Sequence, residues 1–138
     1  KDISPCIMVE KMLLEDGKTP NDIKIHCFNR NGEVRFFIQI DYQRFIDHRR
    51  DFFDAHWNRT EIRMGVPNSD VPMEKPCRLE QMLKLARQVA EQFSYVRVDF
   101  YQVQERIYFG ELTFTPGAGL QRFTPEIIEQ EWGSYFQE

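Results

Sequence analysis

Apolar and polar positions alternate most clearly in two parts of the chain. Ile23–Asn29 (IKIHCFN) and Glu33–Asp41 (EVRFFIQID) are rich in β-branched and aromatic residues and flank Arg30-Asn31-Gly32. Asn-Gly between two such runs predicts a hairpin, because both central residues of its turn need a positive φ. Further on, Val96–Gly117 (VRVDFYQVQERIYFGELTFTPG) alternates around a short polar turn and predicts a second hairpin. Between them, Leu79, Met82, Leu83, Ala86, Val89, Ala90 and Phe93 recur at steps of three and four. That spacing predicts an amphipathic helix over Arg78–Phe93 with its apolar side on a sheet. Thr124-Pro125-Glu126 predicts a short last helix, with Thr124 capping and Pro125 at the first helical position. The stretch from Tyr42 to Pro76 lacks a period and contains Pro67, Pro72 and Pro76. It is expected to be an irregular excursion anchored by Phe45, Phe52, Phe53 and Trp57. The sum is an α+β domain, a largely antiparallel sheet with helices packed on one face.

The second hairpin carries the candidate chemistry. With the turn centred on Glu105, Asp99 falls opposite Glu111 and Arg97 opposite Thr113. Arg97, Asp99, Tyr101, Phe109, Glu111 and Thr113 then share one face, while Val96, Val98, Phe100, Tyr108, Gly110 and Leu112 share the other. Directly opposed residues have Cβ atoms about 4.5–5.5 Å apart. Two carboxylates at that range repel unless water screens them or a cation lies between them. A hard divalent cation such as Mg²⁺ suits the second case, since it takes one or two carboxylates and leaves its other positions to phosphate and water. A solvated outer face of an antiparallel hairpin is the plainer alternative.

Composition narrows the classes. The 138 residues are 41% hydrophobic and 29% charged, with a net charge of −4, which speaks against broad nucleic-acid affinity. Cys6, Cys27 and Cys77 stand in no CxxC spacing, the usage of a cytoplasmic protein with reduced thiols. No apolar run approaches the ~20 residues of a membrane helix, and no signal peptide is visible. His48 and His56, with Asp47, Asp51 and Asp54 between or beside them, match neither HExxH nor a zinc pattern, so a packed loop is expected there. Arg49 and Arg50 are candidates for an anionic substrate. His26 reads as a satisfied histidine and Cys27 as a small apolar residue.

The string RVDFYQVQERIYFGELTFTPGAG resembles the metal-binding segment of ATP-grasp enzymes, among them the D-alanine–D-alanine ligases. The resemblance implies that Asp99 and Glu111 hold Mg²⁺ against ATP phosphates and that Arg97 sits by the transferring phosphoryl group. Thr113 stands where those enzymes have Asn and supplies a hydroxyl as third metal ligand. IMVEKMLL resembles the ATP-grasp hinge strand, which implies adenine-side contacts from Glu10, Lys11, Met12 and Leu13. NDIKIHCFN resembles the D-I-[RK] pattern of amino-acid-adding members, implying Asp22 near ribose and Lys24 near phosphate or substrate. Taken in order, DIKIHCFN, FIDHRRDFFDAHWN, GVPNSDVPMEKP and VRVDFY…YFGELTFTPGAG resemble the TupA-like ATP-grasp family over nearly all residues.

That family is associated with teichuronopeptide and other surface-polysaccharide biosynthesis, and its members are often labelled glycosyltransferases. The resemblance implies a carboxylate–amine ligase that activates a surface-polymer sugar acid or amino acid as an acyl phosphate. The chain starts at the hinge-like run with no glycine-rich flap before it. It is therefore expected to be the C-terminal lobe of a longer protein, inactive alone. A nucleotide-sugar glycosyltransferase and a non-catalytic binding domain are the rival expectations; the chain has no DxD motif.

Overall fold

The computed structural model describes residues 4–43 and 46–136. Phe45, expected to anchor the central excursion, lies outside them. The chain forms β1 (Asp22–Arg30), β2 (Glu33–Tyr42), β3 (Arg49–Phe53), β4 (Arg63–Met64), α1 (Leu79–Ala90), β5 (Tyr95–Val103), β6 (Arg106–Thr113), β7 (Phe123–Thr124) and α2 (Ile127–Ser134). A short 3₁₀ turn spans Pro116–Gly119. Five strands make one antiparallel sheet in the order β3-β2-β1-β5-β6, and β4 pairs with β7 separately.

The β1–β2 turn is the expected one: Arg30 pairs with Glu33, and Asn31 and Gly32 have φ of 52° and 86°. A primed two-residue turn needs both values positive, and its twist matches that of the flanking strands. Because register is locked from this turn, residues 23, 25 and 27 of β1 face one way with 36, 38 and 40 of β2. The corresponding residues of β5 are Val96, Val98 and Phe100. Onto this apolar face α1 lays Leu79, Met82, Leu83, Ala86 and Ala90, all buried.

Three details differ from the sequence expectation. Arg49–Phe53 is not loop but the edge strand β3, registered on β2 from Tyr42↔Arg49 to Ile38↔Phe53. Both of its faces are covered, so Phe52 and Phe53 are both buried and no polar alternation marks the strand. Second, α2 lies on the opposite face from α1: Trp132 packs with Phe28 and Phe52, and Phe37 and Tyr95 border that cluster. The helices therefore sandwich the sheet rather than share one side. Third, Thr124 does not cap α2, because it is engaged in the β4–β7 ladder opposite Arg63. The helix instead starts after Glu126, with no side-chain cap.

Met82 is fully buried beneath α1, whereas Leu85 on the same helix is 38% exposed. Met82→Ala is expected to cost about 2–5 kcal/mol through lost burial and a residual cavity. Leu85→Ala should cost less than half as much. Urea unfolding of the two variants, compared at equal m-value, checks this.

Candidate functional site

The face of the sheet turned away from α1 is divided. One half is aromatic and lies under α2; the other is a row of buried charge. Asp22, Lys24, His26, Gln39, Asp41, Arg50 and Asp99 are all buried. Strand alternation explains the grouping, since residues 22, 24 and 26 of β1 pair with 41, 39 and 37 of β2. On the other side, Lys24 pairs with Asp99 and His26 with Arg97 of β5.

Asp99 and Glu111 do share this face, and the cation between them is Arg97. Its Nε donates to Asp99 Oδ1 at 2.7 Å and its Nη2 to Asp99 Oδ2 at 2.8 Å. The same Nη2 reaches Glu111 Oε1 and Thr113 Oγ1, each at 2.9 Å. Thr113 in turn donates to Glu111 Oε1 at 2.8 Å. From the neighbouring strand, Lys24 Nζ lies 2.7 Å from Asp99 Oδ2 and 3.9 Å from Asp22. The Arg97 guanidinium is held above its ordinary range: burial opposes the charge, but the hydrogen bonds and charge of Asp99 outweigh it.

The hairpin register is as expected at Arg97↔Thr113 and shifts by one towards the turn, where Phe100 meets Phe109 and Tyr101 meets Tyr108. Tyr108 and Phe109 therefore exchange the faces expected for them. The irregularity lies opposite Asp99, at Gly110. A Cβ there would come within 3.1 Å of the Asp99 carbonyl oxygen and 3.2 Å of the Tyr101 ring. Glycine lets the bulged strand pass close while Glu111 and Thr113 keep the face of Asp99.

A second network adjoins the first, and only the strand order brings it together. Gln39 donates from Nε2 to Asp41 Oδ2 at 2.9 Å, which turns its Oε1 to His26 Nε2 at 3.0 Å. An ionised carboxylate only accepts, so this orientation places the histidine proton on Nε2 and leaves Nδ1 to accept from the Tyr95 hydroxyl at 2.9 Å. Burial lowers the His26 pKa to about 4 and keeps the Tyr95 phenol protonated. Asp41 is held below its ordinary value although burial pushes it up, because Arg50 at 2.5 Å and His48 at 3.1 Å favour its anion. Arg50, expected at an anionic substrate, is thus spent inside the fold; its Nη1 also donates to the Met64 carbonyl at 2.7 Å. Where a packed loop is expected, Asp51 lies within β3 and takes Arg59 and the Ser69 amide, while Asp54 in the turn after β3 takes the amides of His56 and Asn58. Cys27 is buried, and that burial raises its thiol pKa to about 12.

Arg97, Asp99, Glu111, Thr113, Lys24 and Asp22 are therefore brought onto one face. Glu10, Lys11, Met12 and Leu13 do not join them in a strand, since residues 4–14 carry no helix or ladder. Ile7, Met8 and Val9 stay exposed there. The segment is anchored near the β5–β6 turn by Glu15, which accepts the Gln104 amide at 2.9 Å. Sequence reading missed the Gln39–Asp41 row. Its signal was present as polar residues at alternate positions of β2, but the histidine and arginine that complete it come from other strands.

No helix among the described residues is long and apolar enough to cross a membrane. Among them, no group of three or more His, Cys, Asp or Glu side chains is placed to hold a metal by itself. A family model described as TupA-like ATPgrasp matches residues 1–137. Neither the curated proteins nor the solved structures contain a match.

Folded His26 stays neutral down to about pH 4, whereas the unfolded residue takes up its proton near 6.5. Its contribution to stability is therefore intact above pH 6.5 and falls as the pH drops towards 4, by on the order of 3 kcal/mol. Urea titrations across that window should show this slope, and His26→Gln should flatten it. Lys24→Met, which strips a cation from buried Asp99, is expected to cost about 3–5 kcal/mol. Adding Asp99→Asn, which removes the stranded charge and keeps an oxygen for the Arg97 guanidinium, should return part of that loss in a double-mutant cycle.

Proposed function

Because the chain belongs to the TupA-like ATP-grasp family, we propose that it is the C-terminal, Mg·ATP-handling lobe of a carboxylate–amine ligase in cell-surface polysaccharide biosynthesis. The observation that carries this reading is the gathering of Asp99, Glu111 and Thr113 around Arg97 on one face of β5 and β6. Its donor chemistry fits a hard divalent cation. Each carboxylate has roughly four lone-pair sites. Asp99 uses three of them, on the Arg97 Nε, the Arg97 Nη2 and the Lys24 Nζ. Glu111 is engaged through Oε1, and its side chain is 63% exposed. Two such carboxylates and a hydroxyl leave about half of the octahedral coordination sphere of Mg²⁺ to phosphate and water.

Bound Mg²⁺ would supply positive charge to the ATP phosphates during transfer. The chain's own residues would do the positioning. Arg97 is clamped by two parallel hydrogen bonds to Asp99, so its guanidinium is already oriented to meet charge developing on a phosphoryl group. Lys24 donates to Asp99 Oδ2 and so fixes that carboxylate from the neighbouring strand. Asp22 at the start of β1 would lie towards the ribose, and Glu10, Lys11, Met12 and Leu13 towards the adenine. The substrate would be a surface-polymer sugar acid or amino acid.

Glu111 is exposed and contributes little to packing, so Glu111→Gln separates function from folding. In the full-length protein it is expected to lower Mg²⁺-dependent ATP consumption by at least about tenfold and to leave the urea midpoint in place. Undiminished turnover, or calorimetric binding of a UDP-sugar in place of Mg·ATP, overturns the reading.

A further inference from the structure

At the opposite edge of the sheet from β6 a wide cleft of about 630 Å³ opens, lined in part by Arg59, Glu61, Arg63, Asn68, Thr124 and Pro125. Arg59 is tied to Asp51 of β3 at 2.7 Å. Four strand spacings, roughly 19 Å, separate β3 from β6. The cleft is thus remote from the Asp99–Glu111 cluster, and its size is that of a small-molecule site.

Its two arginines differ in a useful way. Arg59 is pinned, its Nη2 shared between Asp51 Oδ1 and the Ser69 carbonyl. Arg63 is exposed, sits in the β4–β7 ladder through its backbone, and makes no side-chain hydrogen bond or ion pair with the described residues. A fixed guanidinium beside an uncommitted one is an arrangement that binds a carboxylate, because planar forks match its two oxygens. The acceptors beside them narrow the ligand. Asn68 spends Nδ2 on the carbonyls of Arg50 and Ile62, which leaves its Oδ1 as the acceptor, and Glu61 adds an exposed carboxylate. Both call for donors on the ligand. Among the described residues no aromatic side chain lines the cleft to stack a base, and Glu61 repels the several charges of a polyphosphate more than the single charge of a carboxylate.

We propose that this cleft binds a small polar acid: a carboxylate held by Arg63 and Arg59, with hydroxyl or ammonium donors on its neighbouring carbons facing Glu61 and Asn68. The assignment goes beyond the nucleotide reading and does not rest on it, since the binding needs neither ATP nor Mg²⁺. The shared chemistry has two sources, a sugar acid and an amino acid.

Amide NMR titration of the chain with glucuronate, glutamate and glucose tests it. Saturable shifts centred on Arg63 and Thr124 are expected with an acid and not with glucose. A response to glucuronate alone assigns a sugar acid, and a response to glutamate alone an amino acid. Arg63→Ala, an exposed position whose ladder pairing is through backbone, should weaken binding by about tenfold or more with the other amide peaks in place. Absence of a saturable shift with either acid, an equal response to matched sodium chloride, or unchanged affinity in Arg63→Ala overturns the proposal. Loss of ATP binding in a Glu111 variant leaves this titration unaffected, so the two readings fail separately.

Discussion

One guanidinium holds the charged face together. Arg97 touches both oxygens of Asp99, one oxygen of Glu111 and the hydroxyl of Thr113, and so joins β5 to β6 through side chains as well as backbone. Asp99 is only 3% exposed, and a carboxylate so placed without cations would cost several kcal/mol. Lys24 completes the compensation from β1. The requirement reaches back into the fold. β1 must lie beside β5, and β6 must bulge at Gly110 so that Glu111 and Thr113 return to the face of Asp99. In another strand order Asp99 would keep Arg97, its neighbour on β5, but lose the Lys24 ammonium.

The two faces of the sheet do different work. Beneath α1, the odd-numbered residues of β1 form an ordinary apolar core with β2 and β5. On the other face, α2 covers only the aromatic half, and His26 stands at the seam. Its ring centroid is 5.0 Å from that of Trp132, while both of its nitrogens are hydrogen-bonded to polar neighbours. A neutral histidine tolerates this position; a protonated one would be a buried charge facing the cations Arg97 and Arg50. The seam thus links the hydrophobic packing of α2 to the polar half that holds Arg97 and Asp99.

Much of this architecture was legible in short windows of sequence. The Asn31-Gly32 turn, the three-and-four spacing of α1 and the alternation of β1, β2, β5 and β6 each depend on residues a few positions apart. The common face of Arg97, Asp99, Glu111 and Thr113 follows from the same alternation. Other features were hidden because burial on both sides erases period. β3 reads as irregular because Phe52 and Phe53 point to opposite cores, and Thr124 reads as a cap because its ladder partner Arg63 is distant in the chain. The run from Ile7 to Leu14 has the composition of a strand, yet it forms no ladder with the described strands.

By itself the sequence determined the element types, the tight turn, the apolar side of α1 and the presence of two acids and an arginine on one side of a hairpin. These are set by backbone geometry and by periods of two and 3.6 residues, which local neighbours enforce. Tertiary structure alone decided that β1 lies against β5, that α2 covers the face opposite α1, and that Lys24 joins Arg97 in neutralising Asp99. It also decided that Arg50 is consumed by Asp41 while Arg63 is left open to a ligand. Those outcomes depend on which segments desolvate one another, and a pairing such as that of Lys24 with Asp99, 75 positions apart, leaves no periodic trace in the chain.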